Sequence, residues 1–163
     1  MSFIWLTFGF GVLSAVIPIF NMEAYVIVIY KAVPHNWFFI LLIAFVGSLG
    51  QNLGKLVWYY AAEGALRISW IQNRLDDPER QESIEKWRSR VDGRPVFSGL
   101  LAFTSAATGI PPITAMAPVA GVLRMNVGIF FFAGLIGRTL FLWVILIGAG
   151  AVFHWAGAVV HWW

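Results

Sequence analysis

Apolar residues run along the chain in four long blocks, and most of the charged residues are gathered between the second block and the third. The first block, 3–33, is interrupted by "IPIFNMEAY" at 17–25. The second, 37–62, is long enough to cross ~30 Å of hydrocarbon as one helix. A polar segment follows from Glu63 to Pro95, then a third block over 96–125 and a fourth, again a full span, from Val127 to Val152. The chain closes on "FHWAGAVVHWW", an aromatic end of the kind that settles at a membrane surface.

The third block contains "GIPPITAMAPVAG" at 109–121, with Pro111 and Pro112 adjacent and Pro118 further on. A proline inside a helix removes a hydrogen bond and adds a clash, at roughly 3 kcal/mol. Blocks one and three therefore divide into pieces of about 12 to 15 residues, too short to span. Both are predicted to be re-entrant helical hairpins that dip into the membrane and return to the same side. For the first block, a single proline-kinked span over 3–26 is the alternative. Irregular backbone is tolerated at membrane depth only where it is buried in protein or lines a wet cavity. The two breaks are thus expected to build a site.

An internal repeat supports this reading. "IPIFNMEAYVIVIYK" (17–31) lies without a gap on "IPPITAMAPVAGVLR" (110–124), matching Ile17, Pro18, Ala24, Val26 and Lys31 with Ile110, Pro111, Ala117, Val119 and Arg124. After a short insertion, "GSLGQ" (47–51) meets "GLIGR" (134–138). Each half would hold one span, so the copies must be inverted in the membrane, an arrangement common in secondary transporters. The expected fold is an all-α integral membrane protein with one membrane domain. An inverted repeat of hairpin plus transmembrane helix occupies 1–63 and 96–163, joined by a polar connector over 64–95.

Composition narrows the class. Of 163 residues, 60% are hydrophobic and 12% charged, and the mean hydropathy of +0.77 lies outside soluble globular proteins. Seven of the eleven Lys/Arg and six of the eight Asp/Glu fall between Arg67 and Arg94. That mixed-sign loop is no nucleic-acid face, but its basic residues place it on the cytoplasmic side with both termini opposite. One amphipathic helix is expected there, with Asp77 as cap, Pro78 in first position and Glu79 near the positive end. A Glu82–Lys86 pair and an Ile84, Trp87, Val91 stripe would follow. No cysteine is present. The apolar N-terminus lacks a basic leader region, so a cleaved signal peptide is not expected.

Few residues in the blocks can carry chemistry. Glu23 is the acid of the first hairpin, and an ionisable group at membrane depth is by default a functional candidate; a wet hairpin tip is its structural alternative. Arg138 lies twelve residues beyond Asn126, about 18 Å along a helix. It should face the interior and meet Glu23, a broken-helix carbonyl or a phosphate; a purely structural Arg–Glu pair is the alternative. Lys55, Gln51 and Asn52 share the second span. Asn21, Thr108, Thr114, Pro111 and Pro112 are expected around the same pocket, where helix N-termini favour an anion such as phosphate. Lys31 and Arg124 read as headgroup anchors. His35, His154 and His161 lack ligand spacing, so neither a metal nor another cofactor is expected. Without a nucleophile–base pair, an enzyme is not expected either.

"GSLGQNLGKLVWYYAAEG", a polar loop, and "TGIPPITAMAPVAGVLRMNVGIFFFAGLIGR" together resemble the DedA/VTT superfamily, also called SNARE-associated Golgi proteins. The resemblance runs from about Ile17 to Trp143, and the proline hairpin, the AG-xx-RMN stretch and the later GR are its specific parts. It implies two opposed re-entrant hairpins and a role in moving lipids across bilayers. The implied cargo in a bacterial inner membrane is undecaprenyl phosphate or a related phospholipid, with proton coupling proposed through acids and arginines. The chain supplies Glu23 but departs from the family's usual charges, with Gln51 or Asn52 in place of an acid and Thr108 and Thr114 in place of arginines. A lipid-phosphate flippase or scramblase, alone or as a homo-oligomer, is the leading expectation. An ion-coupled exporter of small solutes and a non-transporting membrane scaffold are the alternatives.

Overall fold

The computed structural model describes residues 2–17, 19–32, 34, 36–65, 78–91, 93–109 and 113–160. Its described elements are all helical. They are α1 (Ser2–Val16), α2 (Met22–Ile29) with a 3-10 turn at Tyr30–Ala32, α3 (Trp37–Ala65), α4 (Pro78–Val91), α5 (Pro95–Thr108), α6 (Ile113–Val122) and α7 (Val127–Val160). Pro18, His35, Asp77, Pro111, Pro112 and His161 lie outside the described residues.

Two helices have the length and composition to cross a membrane: 28 residues of α3, Trp37–Gly64, and 25 of α7, Val127–Ala151. At 1.5 Å per residue these reach about 42 and 37 Å, beyond the ~30 Å hydrocarbon core. By contrast α1 has 15 residues and α5 has 14, or about 22 and 21 Å. Neither can span alone.

Each short helix ends for a local reason. Beyond α1 the chain makes one turn, with the Phe20 amide on the Ile17 carbonyl, and Asn21 then caps α2 by accepting from the Ala24 amide at 3.0 Å. Gly109 stops α5 in the left-handed conformation, φ 72°, where a side chain would be strained. Pro118 does not break the chain; it lies inside α6. At the far end of α6 the Met125 amide reaches the Ala120 carbonyl and Arg124 takes the left-handed position, φ 52°, a helix end usually given to glycine. Asn126 then caps α7 through the Gly128 and Ile129 amides.

The packing follows one scheme twice. In the first half α1 runs parallel to α3, with Gly11, Gly47, Gly50 and Gly54 at the contact. A Cβ on Gly50 would overlap the Phe8 carbonyl, so only glycine allows this approach. In the second half α5 runs parallel to α7, where a Cβ on Gly137 would stand 2.6 Å from the Phe103 carbonyl. The long helices α3 and α7 are antiparallel: Ile40 and Ile43 share a cluster with Leu142 and Leu146, Gln51 bonds Arg138, and Tyr59 meets Phe130. The short helices exchange partners, α2 packing on α7 and α6 on α3. Outward-facing Val28, Val57, Phe132, Ile136 and Val144 are more than half exposed, an apolar girdle suited to lipid. Helix α4 is fastened beneath by Arg88, which donates to the Val122 carbonyl at 3.1 Å, and by buried Val91. Of the expected stripe, Val91 is buried and Trp87 stays exposed with Arg90 stacked on its ring, while the Ile84 side chain lies outside the described residues.

Candidate functional site

Glu23 sits in the first turn of α2, two residues after the Asn21 cap, where the helix's positive end favours a carboxylate. The partner exchange carries that turn to the middle of α7. There Arg138, 6% exposed, donates from Nη2 to Glu23 Oε1 in an ion pair and from Nε to Gln51 Oε1 at 2.7 Å. Its guanidinium carbon also stands 4.8 Å from the centre of the Phe141 ring, a desolvated cation–π contact.

The network continues through a third and fourth helix. Gln51 Nε2 donates to Ser14 Oγ at 3.1 Å, and that hydroxyl donates to the Gly11 carbonyl at 2.9 Å. Accepting from Arg138 and donating to Ser14 fixes which way the Gln51 amide points. One polar chain thus joins α2, α7, α3 and α1. Beside it, Phe10 stacks on Tyr25 at 4.2 Å between ring centres, and the Tyr25 hydroxyl meets buried Thr7 at 3.1 Å. These contacts hold α2 against α1.

The adjoining face of α3 is polar and only partly paired. Ser48, Gln51, Asn52 and Lys55 follow helical i, i+3, i+4, i+7 spacing and are all buried. Asn52 Nδ2 donates to the Ser48 carbonyl at 2.9 Å. The Ser48 hydroxyl, Asn52 Oδ1 and Lys55 Nζ have no hydrogen-bond partner among the described residues. Lys55 is 1% exposed, and its ammonium lies within electrostatic reach of both Arg138 and Glu23. A buried polar group without partners is costly, and two basic side chains here stand near one carboxylate. The free groups are mostly donors, which suits an anion with several acceptor oxygens.

The structure thus brings together Glu23, Arg138 and Gln51, with Asn52 and Lys55 on the next turns of α3. Asn21 is exposed and capping, and Thr108 is exposed with its hydroxyl on the Thr104 carbonyl at 2.7 Å; neither joins the network. The Thr114 side chain lies outside the described residues, as do Pro111 and Pro112. Lys31 and Arg124 are exposed. Sequence reasoning missed Ser14, Ser48 and Phe141. A serine in an apolar helix commonly bonds its own backbone, as Ser14 does, and so stands out little in a sequence.

A family model described as the VTT domain matches residues 17–151. No curated protein matches the chain, and no solved structure does.

Proposed function

The chain belongs to the DedA/VTT family, as a membrane protein with two helices long enough to span, and we propose that it translocates lipid phosphates across the cell membrane. The observation carrying this reading is the unmet hydrogen bonding beside the buried Arg138–Glu23 pair: Lys55 Nζ and the Ser48 hydroxyl are buried without a partner among the described residues. At membrane depth each unpaired polar group costs several kcal/mol. A phosphate group supplies acceptors for Lys55 Nζ and the Ser48 hydroxyl, and a negative charge beside Arg138 that favours the ammonium form of Lys55. Undecaprenyl phosphate or a related phospholipid is the proposed cargo, and no covalent step is required.

In this reading α1–α2 and α5–α6 are opposed re-entrant hairpins around α3 and α7, related by inversion. Three features support it: the parallel pairing within each half, the antiparallel long helices, and a hydrogen bond between Gln51 and Arg138. The repeat matches those two residues with each other, as expected if a two-fold axis passes between them. The connector would be cytoplasmic, and the protein a multi-pass one. Arriving phosphate would take Arg138 from Glu23, which then accepts a proton; this is the proposed route to proton coupling.

The test is translocation of a fluorescent lipid phosphate by protein reconstituted in vesicles. Glu23→Gln with Arg138→Gln removes both charges together, so the protein should stay folded while translocation stops. Lys55→Met should also fold and lose translocation by at least about tenfold, the equivalent of one charge-assisted contact. Full translocation by the double variant would sink the proposal and favour a scaffold. Transport of soluble ions or amphiphiles without lipid movement would favour the exporter.

A further inference from the structure

A second basic site lies at the other end of α7. The last turn of α4, the start of α5 and the link from α6 to α7 enclose a pocket of about 350 Å³, within the range of small-ligand sites. Arg94 and Arg124 line it with Ser98, Met125 and Asn126. Among the described residues neither arginine side chain has a hydrogen bond or ion pair, and both are exposed. The positive ends of α5 and α7 also meet here, because those helices run parallel from this point. Arg94 occupies the cap position of α5, where its donor-only guanidinium cannot bond the helix amides and is left for another acceptor.

We propose that this pocket binds the phosphate of an anionic phospholipid through Arg94 and Arg124, separately from the Glu23–Arg138 network. The separation is twelve residues of α7 between Asn126 and Arg138, about 18 Å. A lipid source fits the surface beside the pocket, where Val96, 82% exposed, and Phe97, 40% exposed, follow Arg94 by two and three positions. Cationic pocket and apolar surface then meet headgroup and acyl chain in their natural order. Arg88, which ties α4 to the Val122 carbonyl, holds one wall in place.

The full chain in detergent is titrated with phosphatidylglycerol, phosphatidylcholine and inorganic phosphate, and bound molecules are counted by native mass spectrometry. Phosphatidylglycerol should be retained over phosphatidylcholine, and inorganic phosphate should bind far more weakly. Arg94→Gln with Arg124→Asn should weaken phosphatidylglycerol binding at least about tenfold, as loss of charge-assisted contacts requires; asparagine is chosen because it tolerates the left-handed backbone at 124. Arg94→Lys with Arg124→Lys should keep most of the affinity. The same drop should appear in the Glu23→Gln, Arg138→Gln background, which separates this pocket from the central network. Unchanged affinity in the Gln/Asn variant, equal retention of phosphatidylcholine, or no drop in the Glu23/Arg138 background would each overturn the proposal. Inorganic phosphate binding as tightly as the lipid would make this a soluble-anion site and overturn it as well.

Discussion

The two short helices that follow the breaks, α2 and α6, are packed alike and built from different chemistry. Helix α2 crosses to α7 with Met22, Val26 and Ile29 on Leu142 and Leu146, and adds the Glu23–Arg138 ion pair. Helix α6 crosses to α3 with Met116, Ala117 and Ala120 in a cluster that includes Tyr59, Met125 and Phe130. In the repeat register that lays 17 on 110, the partner of Glu23 is Met116. Glycine serves near both contacts: a Cβ on Gly121 would overlap the Tyr59 carbonyl, and one on Gly150 would meet the hydroxyl of Tyr30 in the turn after α2. What the difference teaches is that helix exchange needs only small residues and apolar area. The charge was placed at one of two comparable positions, so it is not demanded by the packing.

The largest effect is expected where the charged contact is half removed. Arg138→Ala leaves Glu23 without its cation, at a cost of about 3 to 4 kcal/mol, short of the upper range for buried pairs because Glu23 keeps 31% of its side-chain surface accessible. Unfolding in mixed micelles measures it, and adding Glu23→Gln should restore most of the loss. If Arg138→Ala costs nothing, the pair does not hold α2 on α7. Met116→Glu puts a carboxylate at the apolar counterpart, 4% exposed and with no cation in its cluster. It should destabilise by about 2.5 to 3 kcal/mol in the same assay; a neutral outcome would mean that the α6 contact admits charge as readily as the α2 contact. The smallest effect concerns the α6 end of α3, where the Tyr59 hydroxyl donates to the Met125 carbonyl at 2.5 Å. Tyr59→Phe should cost about 1 kcal/mol and leave lipid translocation unchanged. A loss of translocation there would show that the apolar contact also serves transport.

Much of this was legible in the chain, and the limits follow from particular residues. The break before α2 could be located because Pro18 and Asn21 act within a few positions of themselves. Arg138 and Glu23 could be chosen because a charge in an apolar run is conspicuous wherever the run folds. Thr108 and Asn21 were chosen by nearness in sequence to the breaks, and the structure turns them to a backbone carbonyl and a helix cap. Ser14 and Ser48 were passed over because an isolated serine in an apolar helix carries no such signal.

Apolar run length, proline chemistry and the polar connector are properties of neighbouring residues, so the sequence by itself determined that this is a helical membrane protein with two interrupted blocks. Which short helix packs on which long one was decided only in the tertiary structure. That choice brings Ser14 to Gln51 across 37 positions and Gln51 to Arg138 across 87, and it brings Arg94 and Arg124 to one pocket. The physical reason is that apolar faces of similar helices bury comparable area in several pairings. Glycine-lined surfaces that fit only in one crossing, and polar groups that find partners only there, decide among them.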